Sequence, residues 1–173
     1  MPDAATTAAA PLDRRALRDT LGRFATGVTV VATAGAGGIH AMTANAFTSV
    51  SLDPPLVLVS VDNRTRMHRL LPDTRRYGVS VLAAEQERLA MHFAGRADAD
   101  QADPFEWAQD VPVVSGAIAH FVCDAYAEHE AGDHTLYVGE VRSFTARAGH
   151  PLLFHRGEFA RVANEPVITS WGW

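Results

Sequence analysis

The densest run of chemistry-bearing side chains is Met42-Thr-Ala-Asn-Ala-Phe-Thr-Ser-Val-Ser51. Threonine, asparagine and serine recur there with small alanines between them. Small side chains let a planar ligand approach the backbone, whose N–H groups then donate to ring oxygens and nitrogens. The hydroxyls of Ser49 and Ser51 are suited to donate to a phosphate. A polar strand edge satisfying its own turn is the plain alternative, because such clusters are common in turns. A second cluster, Asp62-Asn-Arg-Thr-Arg66, leads into a helical pattern. A hydroxyl and two arginines at a helix N-terminus form a ready anion site, and equally an ordinary capping loop with solvated arginines. The third, Gly132-Asp-His134, sits at a hairpin end, where an imidazole can face a cavity with an easily tuned charge. Taken alone it reads as a surface turn histidine.

Other chemistries find little support. His68, His92, His129, His150 and His155 show no H-E-x-x-H or other metal-ligand spacing, so no metal is expected. There is no G-x-S-x-G, and the single cysteine, Cys123, lies in an alternating strand pattern with no local activating partner. That cysteine reads as a buried structural thiol, allows no internal disulfide, and suits a reducing cytoplasm. All 15 basic residues are arginine, which removes a Schiff-base lysine and a P-loop lysine. The net charge of −5 argues against a nucleic-acid or acidic-membrane surface. No stretch approaches the roughly 20 apolar residues of a spanning helix.

These groups need elements to position them. The 173 residues, 47% hydrophobic and 20% charged, fit one globular domain. We expect a disordered tail over 1–12, a domain over 13–163 and a C-terminal tail over 164–173 that carries Trp171-Gly-Trp173. Asp13 caps a helix to about Phe24 that places Leu17, Leu21 and Phe24 on one face, and Gly27 ends it. The β-branched run from Gly27 to Thr33 and the segment from Ile39 to Phe47 form a hairpin about Gly35-Ala-Gly-Gly38. That tract lacks G-x-G-x-x-G spacing and no helical pattern follows it.

Leu56-Val-Leu-Val-Ser-Val61 reads as a strand buried on both sides. Thr65 to Leu71 is a short helix stopped by Pro72, Tyr77 to Leu82 a strand, and Glu85 to Ala94 a helix. Gly95 to Asp110 reads as a surface loop carrying Phe105 and Trp107. Ala117 to Glu130 and His134 to Ala146 are long strands joined by Ala131-Gly-Asp133, and Leu152 to Phe154 with Glu158 to Val162 form the last pair. Many strands joined by short turns favour a mainly β chain, an antiparallel barrel with a few short helices.

In order along the chain stand Gly22-Arg-Phe-Ala-Thr-Gly-Val-Thr-Val-Val31, Met42-Thr-Ala-Asn45 and Phe47-Thr-Ser-Val-Ser-Leu-Asp-Pro-Pro-Leu-Val57. Phe93-Ala94, Gly132-Asp-His134, Val138-Gly-Glu-Val141 and Pro151-Leu-Leu-Phe154 with Arg156-Gly157 follow. Together, from about Leu17 to Val162, they resemble the flavin reductases that supply reduced flavin to two-component monooxygenases. The resemblance implies a homodimeric, antiparallel Greek-key split β-barrel (the FMN-binding split barrel) that reduces FMN or FAD with NADH or NADPH. It implies that Thr43, Ala44, Asn45 and Ala46 hold the isoalloxazine and ribityl chain, and that Ser49, Ser51 and Thr65 take the phosphate with Arg66. His134 and Arg156-Gly157 would face the nicotinamide, with His134 the catalytic group, and Phe93 would lie near the flavin tail. The family often has serine where Ala46 stands and glycine where Ala41 stands. A flavin store or sensor without turnover is the alternative, and it leaves Gly132-Asp-His134 without a task.

Overall fold

The computed structural model describes residues 12–163, so all but the last residue of the expected N-terminal tail, and the whole expected C-terminal tail with Trp171 and Trp173, lie outside the described residues. The elements in chain order are α1 (Arg14–Leu21), β1 (Thr26–Gly27), β2 (Thr29–Gly35), β3 (Gly38–Ala44), β4 (Phe47–Leu52), β5 (Pro55–Asp62), α2 (Arg66–Thr74), β6 (Arg76–Val81) and α3 (Glu87–Phe93). They continue with β7 (Phe105–Ala108), β8 (Val111–Val114), β9 (Ala119–Ala131), β10 (His134–Ala146), β11 (Leu152–His155) and β12 (Glu158–Arg161). The chain is mainly β, and its strand pairs are antiparallel. Among the described residues no helix is long and apolar enough to cross a membrane.

Seven strands form one sheet in the order β3-β2-β6-β9-β10-β5-β4. Its two edge strands are consecutive in sequence, joined only by Asn45 and Ala46. Flat, a sheet of this width would separate its edges by about 29 Å, whereas the three peptide steps from Ala44 to Phe47 reach at most about 11 Å. The sheet therefore curls until its edges approach. Ser60 of β5 donates its N–H to the Ala46 carbonyl at 3.0 Å, and Thr29 Oγ1 donates to the Ala44 carbonyl at 2.7 Å, which holds the link from both sides.

Inside the curl, Val31, Val59, Val61, Tyr77, Val79, Cys123 and Tyr137 pack with Met67 and Leu71 of α2. Burying those two α2 side chains contributes about 1.5–3 kcal/mol each. A second cluster of Val28, Val30, Leu82, Val114 and Leu152 receives Leu89 and Ala90 of α3.

Four expectations are corrected. The helix capped by Asp13, whose Oδ1 accepts from Arg15 N–H at 2.8 Å, ends at Leu21 and not near Phe24. The chain turns at Gly22 because the Gly22 carbonyl accepts the Arg156 N–H at 2.8 Å and β1 then pairs with β11. Leu17, Leu21 and Phe24 are consequently exposed, at 44%, 65% and 79%.

Helix α2 does not stop at Pro72 but runs through it to Thr74. Proline there removes the N–H that would reach the His68 carbonyl four residues back. Tyr137 Oη of β10 donates to that carbonyl instead, at 3.2 Å.

Strand β5 is not buried on both sides. Val57, Val59 and Val61 enter the core, while Leu56, Leu58 and Ser60 are half-buried on the other face. The expected loop from Gly95 to Asp110 contains β7, which pairs with β8 and places Phe105 opposite Val114.

Two adjoining cavities at the Asn45–Ala46 link

The turn after α1 and the outer face of β4 and β5 enclose a cavity of about 850 Å³. Its wall comprises Arg18, Leu21, Gly22, the segment Phe24–Gly27, the run Asn45–Thr48, Leu58, Ser60 and Phe154. A second cavity of about 740 Å³ adjoins it, lined by Arg18, Asp19, Gly22, Arg23, Phe154, Arg156 and Gly157. Arg18, Gly22 and Phe154 belong to both walls. Both volumes lie in the range of small-molecule sites.

The local sequence explains the first cavity. Residues paired directly across an antiparallel ladder share a face, and alternate residues on a strand do too. With Thr48 opposite Leu58 and the Ala46 carbonyl on the Ser60 N–H, the small residues of the link stand against the half-buried face of β5. Gly27 lines the same space, and a Cβ placed there would meet nothing within 4 Å. Thr26 Oγ1 is buried in this wall and has no hydrogen-bond partner among the described residues. A buried hydroxyl without a partner is costly. A flat ring that carries carbonyl oxygens and ring nitrogens fits this wall, because it fills a slot between small side chains and satisfies Thr26. A flavin is such a ring, and when bound it supplies the hydride-accepting chemistry. The chain supplies position, apolar walls that exclude water, and polar atoms at Thr26, Asn45, Thr48 and Ser60.

Of the residues expected at the site, the structure brings Asn45 and Ala46 to the first cavity and Arg156 and Gly157 to the second. Arg156 and Gly157 form the β11–β12 turn with φ of 53° and 85°, conformations that favour glycine at the second position. Thr43 and Ala44 are not in either wall. The Thr43 hydroxyl donates to the Ala90 carbonyl of α3 at 2.7 Å, and Ala44 is buried in the core.

Ser49 and Ser51 do not act side by side. A β-bulge at Val50 leaves Ser49 opposite Val57, whose side chain enters the core, and sets Ser51 opposite Leu56 on the face of Leu58 and Ser60. Thr65 lies beyond the other end of β5, and Leu56 to Asp62 alone spans about 20 Å. Ser51 and Thr65 of one chain therefore cannot grasp one phosphate. Thr65 instead caps α2, accepting from the His68 N–H at 3.2 Å. Arg66 runs toward the β2–β3 turn, so that a Cβ on Gly37 would stand 3.2 Å from Arg66 Nη2. Burial, and then the charges of Arg66 and Arg69, lower the pKa of the nearby His40. Phe93 packs against His92 and Phe105, with ring centroids 4.8 and 5.5 Å away, and lines neither cavity.

His134 begins β10 opposite Asp62, two residues along β5 from Ser60, and so shares the sheet face of the first cavity without lining it. Its Nδ1 is 2.8 Å from Asp133 Oδ1. The His134 imidazole beside Asp133 holds that carboxyl below its usual range.

Sequence reasoning missed Arg18, Arg23, Thr26, Thr48, Leu58, Ser60 and Phe154 as lining residues. Ser60 carried a signal, because a serine at every-second-residue spacing from Leu56 and Leu58 marks a face that is not core. The arginines carried none, since their convergence depends on the contact between Gly22 and Arg156.

The profile of the Flavin reductase like domain matches residues 21–163. An NADH-dependent flavin reductase of a Rhodococcus species is 51% identical over 160 residues, covering 91% of each chain. The reductase subunit HsaB of a flavin-dependent monooxygenase from Rhodococcus jostii is 32% identical over 167 residues, covering 94% of this chain and 85% of its own. The solved structure of the Streptomyces globisporus NADH:FAD oxidoreductase SgcE6 with NAD and FAD fragments superposes with a TM-score of 0.81 at 44% identity, over 88% of this chain and 94% of that one. The chain belongs to the flavin reductase family.

Proposed function

We propose that this chain is an NAD(P)H:flavin oxidoreductase that passes hydride from NADH or NADPH to FMN or FAD and delivers the reduced flavin to a flavin-dependent monooxygenase. The observation that carries this reading is the cavity at the Asn45–Ala46 link, with its small walls and the unpartnered Thr26 hydroxyl. The ring lies against Asn45 and Ala46, with the flavin tail along β4 toward Ser51, which shares its face. The nicotinamide enters from the side of Arg156 and Gly157, and His134 serves that side. Hydride transfer needs the two reacting atoms roughly 3–3.5 Å apart, a proximity effect that requires no general base.

The fold we assign is the Greek-key split barrel, with residues 13–163 as its domain. The curl of the seven-stranded sheet around the two-residue link supports it. The active form we assign is a homodimer in the cytoplasm, since Leu17, Leu21 and Phe24 leave an apolar row exposed beside an open cavity. Nicotinamide absorbance, followed with cofactor-stripped protein, tests the activity. Oxidation of NADH or NADPH should require added flavin, and equal rates without flavin would refute the reading. Sedimentation equilibrium at micromolar concentration tests the dimer, and a fully active monomer would rule it out.

A further inference from the structure

The second cavity has a chemistry that the flavin slot does not explain. The chain carries a net charge of −5, yet Arg18, Arg23 and Arg156 all line this one space. Among the described residues none of the three has a carboxylate within 4.0 Å, while Arg64, Arg76, Arg88 and Arg142 each have one. Asp19 is the one carboxylate in the wall. Three arginines and one carboxylate in the same wall leave two positive charges unbalanced, and guanidinium geometry matches phosphate oxygens bidentately.

The end of a helix is an unfavourable place for an anion, because its free carbonyls carry partial negative charge. Here three of the last four carbonyls are occupied. The Arg18, Thr20 and Leu21 carbonyls accept the N–H groups of Gly22, Arg23 and Phe24, and the Gly22 carbonyl accepts that of Arg156. This last bond also fixes the β11–β12 turn against α1, so the arginines of two distant segments face one cavity. Arg18 and Phe154 are common to both walls, which makes the charged space an extension of the ring slot.

We infer that Arg18, Arg23 and Arg156 form a cradle for the pyrophosphate of NADH, since the flavin tail is assigned to β4 and Ser51. A doubly charged pyrophosphate balances the wall, and a ring attached to it reaches the first cavity. This inference rests on the reductase reading for its choice of ligand.

The test uses the full chain with Arg23→Gln and Arg156→Gln combined, and exposed Arg96→Gln as the control. Because Arg23 and Arg156 are exposed and glutamine keeps part of the stem, the double variant should fold normally, which circular dichroism checks. Calorimetric titration with ADP and with inorganic pyrophosphate should show affinity weakened roughly ten- to a hundredfold in the double variant and unchanged in the control. The KM for NADH rises by a similar factor with kcat kept, and the double variant loses less rate with 1-benzyl-1,4-dihydronicotinamide, which has no phosphate, than with NADH. A rise in KM for FAD with KM for NADH unchanged would put the flavin tail against these arginines and overturn the assignment. Equal ADP and pyrophosphate affinity in wild type and double variant overturns the cradle, and so does an equal loss of rate with the phosphate-free donor. A wild-type chain that binds ADP through these arginines but never oxidises NADH in the presence of flavin refutes the reductase reading and leaves the cradle standing.

Discussion

The Ser60 amide donates to the Ala46 carbonyl at 3.0 Å, fastening β5 to the link between the two edge strands. The bond fixes the backbone of Ala46 while leaving its methyl group on the cavity wall. Replacing Ala46 with serine adds a donor to that wall without moving the chain. A neutral hydrogen bond contributes about 0.5–1.5 kcal/mol, so flavin affinity should tighten roughly two- to tenfold. Quenching of flavin fluorescence measures this, and unchanged or weaker binding would place the ring away from Ala46.

The distance between Ser51 and Thr65 separates two roles. Ser51 Oγ accepts from the Asp53 N–H at 3.2 Å and keeps its own hydrogen to donate. Ser51→Ala should weaken flavin binding about tenfold or more, the loss of a charge-assisted bond, with little change in stability. Thr65→Ala should instead remove a helix cap, lowering stability by about 1 kcal/mol with flavin affinity kept. Titration and urea unfolding on both variants decide it. Equal loss of flavin affinity in the two would contradict the separation.

Gly139 of β10 leaves room for the Tyr77 ring. A Cβ at 139 would overlap the Tyr77 hydroxyl and stand 2.9 Å from Cys123 Cβ. Gly139→Ala should therefore destabilise the chain by about 1–3 kcal/mol. The Tyr77 hydroxyl is buried without a partner among the described residues, so Tyr77→Phe should cost little and recover part of that loss in the double variant. Strict additivity in urea unfolding would show that the two residues do not meet.

Two buried acids set the alkaline limit. Burial, and then the Asp124 charge, push the Cys123 thiol up to about 12. Burial, and then Cys123, also raise Tyr77. Both favour the neutral form in the folded state, so their contribution is complete below the unfolded-state value, 9.0 for the thiol, and is lost as pH rises toward 12. Above 9 the thiol, and above 10 the Tyr77 phenol, each remove about 1.4 kcal/mol of stability per pH unit. Urea midpoints at pH 7, 9 and 10.5 should be level and then fall, with a shallower fall in Cys123→Ala. A midpoint independent of pH to 10.5 would show that the thiol is not held neutral.

The strands were readable because β-branched runs and glycine turns act locally. The hairpins at Gly35–Gly38 and Gly132–Asp133 needed nothing from the rest of the chain. Helix α2 was misread at Pro72 because its rescue comes from Tyr137, 65 residues further on. The first cavity was legible at Asn45 and Ala46, since small residues between polar ones are a local pattern. Thr43, Ser49 and Thr65 were not separable from Ser51 by type. Their directions follow from ladder register and from one bulge, and composition does not record either. The arginines at positions 18 and 23 share a cavity with Arg156 only because a turn from the far end of the domain closes against the end of α1.

The two-residue link has a thermodynamic meaning beyond shape. A molecule seated at Asn45 and Ala46 touches the chain where both rims of the curled sheet come together, so it acts as a staple across a seam. Whatever binds only the folded chain raises its stability, by about 2.7 kcal/mol at a hundred times the dissociation constant. Flavin should thus lift the melting temperature and slow amide hydrogen exchange first at Ser60, whose N–H closes the seam. Release of flavin would then loosen the same seam, so the loaded and empty chains should differ most in stability at the edge of the sheet.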